Sequence, residues 1–478
     1  MSENGHDKDG HGDSMELMEK HNNGVKYKRP SFEEDEPPAA VKKLSGLTVV
    51  TAVLFITGEM TGSGVLALPK AVKDAGWIGI FLIFMCAGIS SFTGSVLGRC
   101  WAAIIRNRPE LGRHCQDPYP TIGMEAFGKV GRIIVNISVY FTLYGVCVVL
   151  LLIASGNIQG LLSQVNVDMS LCYWVMIIGG ILAPFCWMSS PKDFWPIALG
   201  ATLTTAVACV LICIQAIMDI ERAKNETEAY YTEHPDHVFH RGFDEFFLAF
   251  GMILFCFGGM AAFPTIQADM RNPEKFPKTV LIAMSCILCM YIPVGAIGFG
   301  VYGDFVADNI FDSLTPGPLQ ITASILITMH LTFAYVIIQN PLSQVLEMPL
   351  NVPDKFGLKR VVIRSLITIF VIFTAETCPR FGHILALVGG SAVTLNTFVF
   401  PSLFFWKLGR RTGKPWSALE MQRWEIPVHI LIIVIGIFGG CSATYAAIKA
   451  IIDPNAFVPP CYVNITAASA AASGGGGH

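Results

Sequence analysis

Charge is what this chain has least of. Asp, Glu, Lys and Arg make up 14% of its 478 residues, against about a quarter in a soluble domain. That shortfall excludes an ordinary soluble globule. With 53% hydrophobic residues and a mean hydropathy of +0.53, it indicates a polytopic membrane protein. Catalytic spelling is absent too: no HExxH, GxSxG or Walker pattern stands out, so an enzyme is disfavoured and no catalytic residue, metal or cofactor is expected. No charged ring or filter repeat of the channel kind is visible, and nothing suggests a nucleic-acid partner. Cysteine is present, fourteen times, but mostly scattered within apolar runs. Cys286-x-x-Cys289 sits mid-span among Leu, Ile and Met, where small apolar packing residues are expected rather than a redox pair. Residues 1–43 lack the hydrophobic segment of a cleavable signal and read as a disordered tail.

What the chain does have is long apolar runs. Eleven are long enough to cross roughly 30 Å of hydrocarbon at about 20 residues each. They lie near 46–70, 76–98, 133–162, 172–189, 194–218, 244–263, 278–302, 318–346, 361–376, 381–406 and 426–450. With a cytoplasmic N-terminus, 26 of the 33 Lys and Arg fall on the cytoplasmic side, as the positive-inside rule requires. The sequons at Asn225 and Asn464 then lie outside as candidate glycosylation sites, while Asn136 falls inside the third span. An odd number of spans puts the C-terminus outside the cell or in a lumen. The expected organisation is a tail at 1–43, a transmembrane domain at 44–450 and an outer tail at 451–478.

The first span is interrupted. Phe55-Ile-Thr57-Gly58-Glu59-Met-Thr61-Gly62-Ser63-Gly64-Val-Leu-Ala-Leu-Pro69 carries three glycines, an acid and a serine at membrane depth. Unpaired backbone there costs several kcal/mol per group, so it survives only where it lines a cavity or is buried in protein. An ionisable residue there marks a candidate functional site. Five spans later, Phe255-Cys-Phe257-Gly258-Gly259-Met-Ala-Ala-Phe-Pro264 interrupts the sixth span. Five is odd, so two consecutive groups of five spans enter the membrane from opposite sides. Broken helices in corresponding positions of inverted halves point to a secondary transporter's binding site. Close helix packing through small residues is the competing use of either glycine cluster.

Three ordered motifs make the reading specific. Gly62-Ser-Gly-Val-Leu-Ala-Leu-Pro-Lys-Ala-Val-Lys-Asp-Ala-Gly-Trp77, Tyr119-Pro-Thr-Ile-Gly-Met-Glu-Ala-Phe-Gly128 and Met270-Arg-Asn-Pro-Glu-Lys-Phe-Pro277 resemble motifs of the amino acid/auxin permease family, with proton-assisted and lysosomal members nearest. The resemblance covers about 44–450. It implies an all-α, LeuT-like 5+5 inverted repeat with one extra helix, and amino acid transport across a plasma membrane or a lysosomal or vacuolar membrane. Sodium-coupled members carry Asn where this chain has Gly58, and proton-assisted members carry Glu where it has Gln267, with Asp269 nearby. The first departure weighs against sodium. Tyr119-Pro-Thr-Ile122 also spells a sorting signal, although it lies within the motif.

The chemistry of a free amino acid then assigns candidates. Amide N–H groups at Gly62, Ser63 and Gly64, on the positive end of the outer half-helix, suit the carboxylate. Carbonyls ending the other halves, near Thr57, Gly58 and Thr61 and near Phe257, Gly258 and Gly259, suit the ammonium. On the third span Asn136, Tyr140 and Tyr144 share one helical face, for substrate or for packing. Thr328, His330 and Tyr335 on the eighth span, and Ser391, Thr394 and Asn396 on the tenth, are further polar candidates. His330 either relays protons or pairs with a neighbouring backbone group. Glu59 is either the proton-coupling acid or a structural partner in a vestibule. The expected partners are an amino acid, a coupling ion (H+ before Na+) and the bilayer. An amino acid sensor with little flux would use the same pocket.

Overall fold

A computed structural model describes residues 46–472 except 112–114, 116, 188–194, 235–241, 349, 351, 353–355, 412–415, 417–418, 420 and 454–457. The tail expected at 1–43 lies outside the described residues. Regular structure within them is helical, apart from one isolated bridge pairing Leu47 with Met270.

In chain order the helices are α1 (Val49–Met60), α2 (Gly64–Ala75), α3 (Ile78–Asn107), α4 (Pro118–Ser163), α5 (Leu171–Cys186), α6 (Trp195–Met218), α7 (Ile220–Glu233), α8 (Phe243–Cys256), α9 (Phe263–Asp269), α10 (Phe276–Tyr302), α11 (Pro318–Glu347), α12 (Leu358–Thr377), α13 (Phe381–Gly409) and α14 (Glu425–Ile452). A short terminal helix, α15 (Ile465–Ala472), follows. α4 starts well before the expected third span and kinks at Gly128, whose φ of 69° belongs to the left-handed region.

Eight helical segments are long and apolar enough to cross a membrane, Phe243–Asp269 counting as one, and the pair α1–α2, bent by 59°, makes nine among the described residues. α5 and α12 occupy the positions expected for the fourth and ninth of eleven. At 16 residues, α5 spans about 24 Å at 1.5 Å per residue, short of the hydrocarbon core. α12 carries Arg360 and Arg364 in its first two turns. Both are buried on Glu347 of α11, Arg364 at 2.6 Å and Arg360 at 3.3 Å, and Arg364 also donates to the Cys186 carbonyl of α5. Charge within this apolar segment is tolerated because it is paired.

Apolar residues serve two solvents here. Phe370 and Phe373 of α12 and Ile437 and Phe438 of α14 are exposed, as lipid contact requires, while inward faces pack helix on helix. α2 lies between α8 and α10, α4 against α11, and α13 against α8. The α13–α8 contact is close: a Cβ on Gly389 would sit 2.0 Å from the Gly251 carbonyl oxygen. Gly389-Gly390 therefore serves close helix packing. Cys286 and Cys289 are exposed, so they face outward instead of filling the core.

Two links were not read from the sequence. A disulfide joins Cys172, at the head of α5, to Cys461 beyond α14, so these two segments share one face of the molecule. Close to the start of α7, buried Asp219 accepts from Thr315 Oγ1 at 2.6 Å, Tyr302 Oη at 2.7 Å, Thr315 N at 2.8 Å and Gln215 Nε2 at 2.9 Å. Burial raises the Asp219 pKa, but the Thr315, Tyr302 and Gln215 hydrogen bonds outweigh it and hold the carboxyl below its ordinary value of 3.8. A depressed folded value means that the stabilisation is present above the ordinary value and is lost as pH falls through the folded one. The latch should therefore persist at mildly acidic pH. Asp219→Ala strands several buried donors at about 1–3 kcal/mol each, so the purified variant should melt several degrees lower at neutral pH. Unchanged melting would show that water replaces the carboxylate without cost.

Candidate functional site

The two interruptions meet. α1 ends at Met60, where the Thr61 amide and hydroxyl both donate to the Thr57 carbonyl at 2.9 and 2.7 Å. The chain then turns through Gly62-Ser63 into α2. Among the described residues no acceptor engages the amides of Gly62, Ser63 and Gly64, which lie at the positive end of α2. α8 ends at Cys256, a single 3-10 turn covers Gly259–Ala262, and Pro264 opens α9. A Cβ on Gly259 would sit 2.7 Å from Met60 Cγ and 3.7 Å from Glu59 Cγ. The absence of a side chain at Gly259 is what lets one break approach the other.

Beside them is a cavity of about 1820 Å³, larger than the roughly 300–1,000 Å³ of a typical ligand pocket. It is a site together with its vestibule. Glu59, Gly62, Ser63, Gly258 and Gly259 line it, and the lining continues to Leu47, Arg108, Asp117, Arg271 and Met348, on the face where α1 begins. No residue of α2 lines it; Gly64, Val65, Leu66, Ala67 and Leu68 are all buried. The cavity is thus open toward one face and bounded by α2 toward the other.

Of the residues singled out from sequence, the structure brings Glu59, Gly62, Ser63, Tyr119, Tyr140, Gly258, Gly259, Asp269 and His330 to this cavity. Glu59 is exposed there and has no hydrogen-bond or ion-pair partner among the described residues. His330 bonds through Nδ1 to the Thr205 hydroxyl of α6 and also meets the Ala201 backbone of the same helix. Its Nε2 lies 3.6 Å from where a Gly62 Cβ would be. Gly62 therefore has room around it.

Others are placed elsewhere. Tyr144 turns away from the cavity, its hydroxyl 2.9 Å from the Phe370 carbonyl and 2.6 Å from Thr374 Oγ1, both on α12. Gly64 is pressed onto α8, with a Cβ there 2.7 Å from Cys256 Sγ. Thr57, Gly58 and Thr61 are buried, and the Thr57 carbonyl proposed for an ammonium is already engaged by Thr61. Phe257 is wholly buried, edge-on to Tyr291 at 5.7 Å. Ser391, Thr394 and Asn396 bond within the helix framework, Asn396 donating to Thr142 at 3.1 Å. Tyr119, although at the cavity wall, is buried with its hydroxyl 2.5 Å from the Asn396 carbonyl, so the apparent sorting signal is a packing contact. Gln267 donates to the Gly98 and Pro273 carbonyls. Asn225 and Asn464 are both exposed.

Thr205 and Tyr291 escaped the reading of the sequence. The available signal was polarity within an otherwise apolar span, the same criterion that singled out Glu59.

Residues 45–446 match the family model described as transmembrane amino acid transporter protein. Amino acid transporter AVT1E of Arabidopsis thaliana is 27% identical over 421 residues, covering 85% of this chain and 74% of that protein. Amino acid transporter AVT3B of the same plant is 25% identical over 428 residues, covering 86% and 95%. Among solved structures, MhsT in complex with L-phenylalanine aligns with a TM-score of 0.57 at 13% identity, over 84% of this chain and 99% of that one. A manganese transporter from Eremococcus coleocola aligns with a TM-score of 0.57 at 10% identity, over 91% and 96%. At such identities the likeness shows the fold alone, a LeuT-like arrangement of helices.

Proposed function

Because this chain belongs to the transmembrane amino acid transporter family, we propose that it is a secondary active carrier that moves amino acids by alternating access, with protons as the coupling ion. The observation that carries this reading is the meeting of two broken helices beside a cavity open toward one face. Free amides at Gly62 and Ser63 suit a substrate carboxylate, and Tyr140, which lines the same cavity, is the candidate to pack on the substrate. Glu59 is the candidate coupling acid, and Gly58 stands where sodium-coupled relatives carry Asn.

Counting α5 and α12 as spans gives eleven, read as a 5+5 inverted repeat plus α14. The basic-residue bias then puts the cavity mouth and the 1–43 tail in the cytoplasm and the 451–478 tail outside, an inward-facing state. The Cys172–Cys461 disulfide fits this orientation, since both ends then lie in an oxidising compartment, whether outside the cell or in a lysosomal or vacuolar lumen. Exposed Asn225 and Asn464 are the proposed glycosylation sites on that side.

The test is uptake of a radiolabelled amino acid panel into proteoliposomes at two external pH values, with and without sodium. Accumulation that rises with external acidity and ignores sodium is expected. Binding without accumulation would identify a sensor and overturn the carrier reading.

A further inference from the structure

Two helix C-termini of like polarity converge at the breaks. α1 ends at Met60 and α8 at Cys256, each presenting last-turn carbonyls and the negative end of a dipole worth roughly half an elementary charge. Left alone, the two ends repel, and buried carbonyls without donors are costly. In carriers built from discontinuous helices, such half-helix C-termini and unwound carbonyls are where coupling cations bind. A cation held there exchanges its hydration shell for carbonyl oxygens.

Here a neighbouring helix reaches into that position. Tyr291 of α10 is wholly buried. Its hydroxyl lies 2.7 Å from the Met60 carbonyl oxygen and 3.1 Å from that of Cys256, so one O–H is shared between the two helix ends. The ring sits edge-on to Phe257, which fixes the direction of the phenol. We propose that Tyr291 is a built-in substitute for a coupling cation. Its hydroxyl proton draws the two carbonyl ends together, and its bulk denies sodium the same place. It is a positioning residue: by tying α1 to α8 it sets where Glu59 stands relative to Gly258-Gly259. The inference deepens the proton-coupled reading and rests on it.

Thermal unfolding of the purified carrier in matched sodium and choline chloride tests this, alongside uptake. The wild type should melt at the same temperature in both salts. Tyr291→Phe keeps the ring and loses the donor, so it should fold, remain indifferent to sodium and lose about tenfold in uptake, equivalent to about 1.4 kcal/mol. Tyr291→Ser vacates the ring's volume between the carbonyls, and sodium should then raise its melting temperature by several degrees. Wild-type uptake by Tyr291→Phe, sodium stabilisation of the wild type, or a folded Tyr291→Ser protein indifferent to sodium would each overturn the proposal. The Phe variant decides the matter if the Ser variant does not fold. A wild type that transports no amino acid would defeat the carrier reading, while the melting comparison would still report on Tyr291.

Discussion

Gly62→Val is expected to yield a folded carrier at near-normal abundance that accumulates amino acid about 100-fold less well, or worse. The nearest atom to a Cβ at Gly62 is His330 Nε2 at 3.6 Å, ordinary contact, so the backbone need not move. The isopropyl group would instead project beside the amides of Gly62 and Ser63, where the substrate carboxylate is proposed to sit. Hydrogen bonds to a charged group contribute about 1.5–3 kcal/mol each. Losing two therefore removes at least two orders of magnitude in affinity. Gly64→Val should behave differently. Its Cβ would lie 2.7 Å from Cys256 Sγ and 3.1 Å from Cys256 Cα, and a backbone atom in α8 cannot step aside. Overpacking of this kind costs about 1–3 kcal/mol, so lowered melting and abundance should accompany any loss of uptake. Size-exclusion profiles, melting temperatures and substrate binding on both purified variants separate the two effects. Normal amino acid affinity in folded Gly62→Val would remove the carboxylate from these amides.

The breaks were legible because glycine clusters at membrane depth have few uses, and Gly62-Ser63-Gly64 and Gly258-Gly259 stand within otherwise apolar runs. Their mutual approach is what two broken spans in corresponding positions lead one to expect. What could not be read was direction. Helical spacing puts Tyr140 and Tyr144 on one face, yet only Tyr140 reaches the cavity, because α12 crosses α4 at Tyr144 and offers it a carbonyl and a hydroxyl. Periodicity gives a face and not the neighbour that covers it. Pairings distant in sequence were invisible for the same reason: Cys172 with Cys461, Tyr291 with Met60, and His330 with Thr205. The span count was blurred at α5 and α12 by shortness and by charge. Arg360 stands just before the ninth expected span and Arg364 inside it, and what lets them be buried there is Glu347, distant in sequence.

Glu59→Gln should abolish acid-stimulated accumulation while leaving amino acid exchange nearly intact. Glu59 is an acid beside both breaks, exposed to a cavity that opens toward one face, with no cation paired to it among the described residues. A permanent ion pair would hold a carboxylate charged throughout the cycle. An unpaired one can exchange a proton with whichever compartment it faces. On the proposed cycle, exposure first to one side and then to the other would couple a proton to each substrate moved. Gln preserves the shape and some hydrogen bonding but carries no exchangeable charge. The empty, deprotonated carrier that must return in net uptake then no longer exists, whereas exchange never requires it. Accumulation in proteoliposomes with an imposed pH gradient should fall by about tenfold or more, with exchange at equal pH within about twofold of wild type. Glu59→Asp, one methylene shorter, should retain partial coupling with a displaced pH optimum. The measurement compares both assays at protein amounts matched by immunoblot. Wild-type pH dependence in Glu59→Gln would return Glu59 to a structural place in the vestibule. Equal loss of accumulation and exchange would assign it to the substrate pocket instead of the proton path.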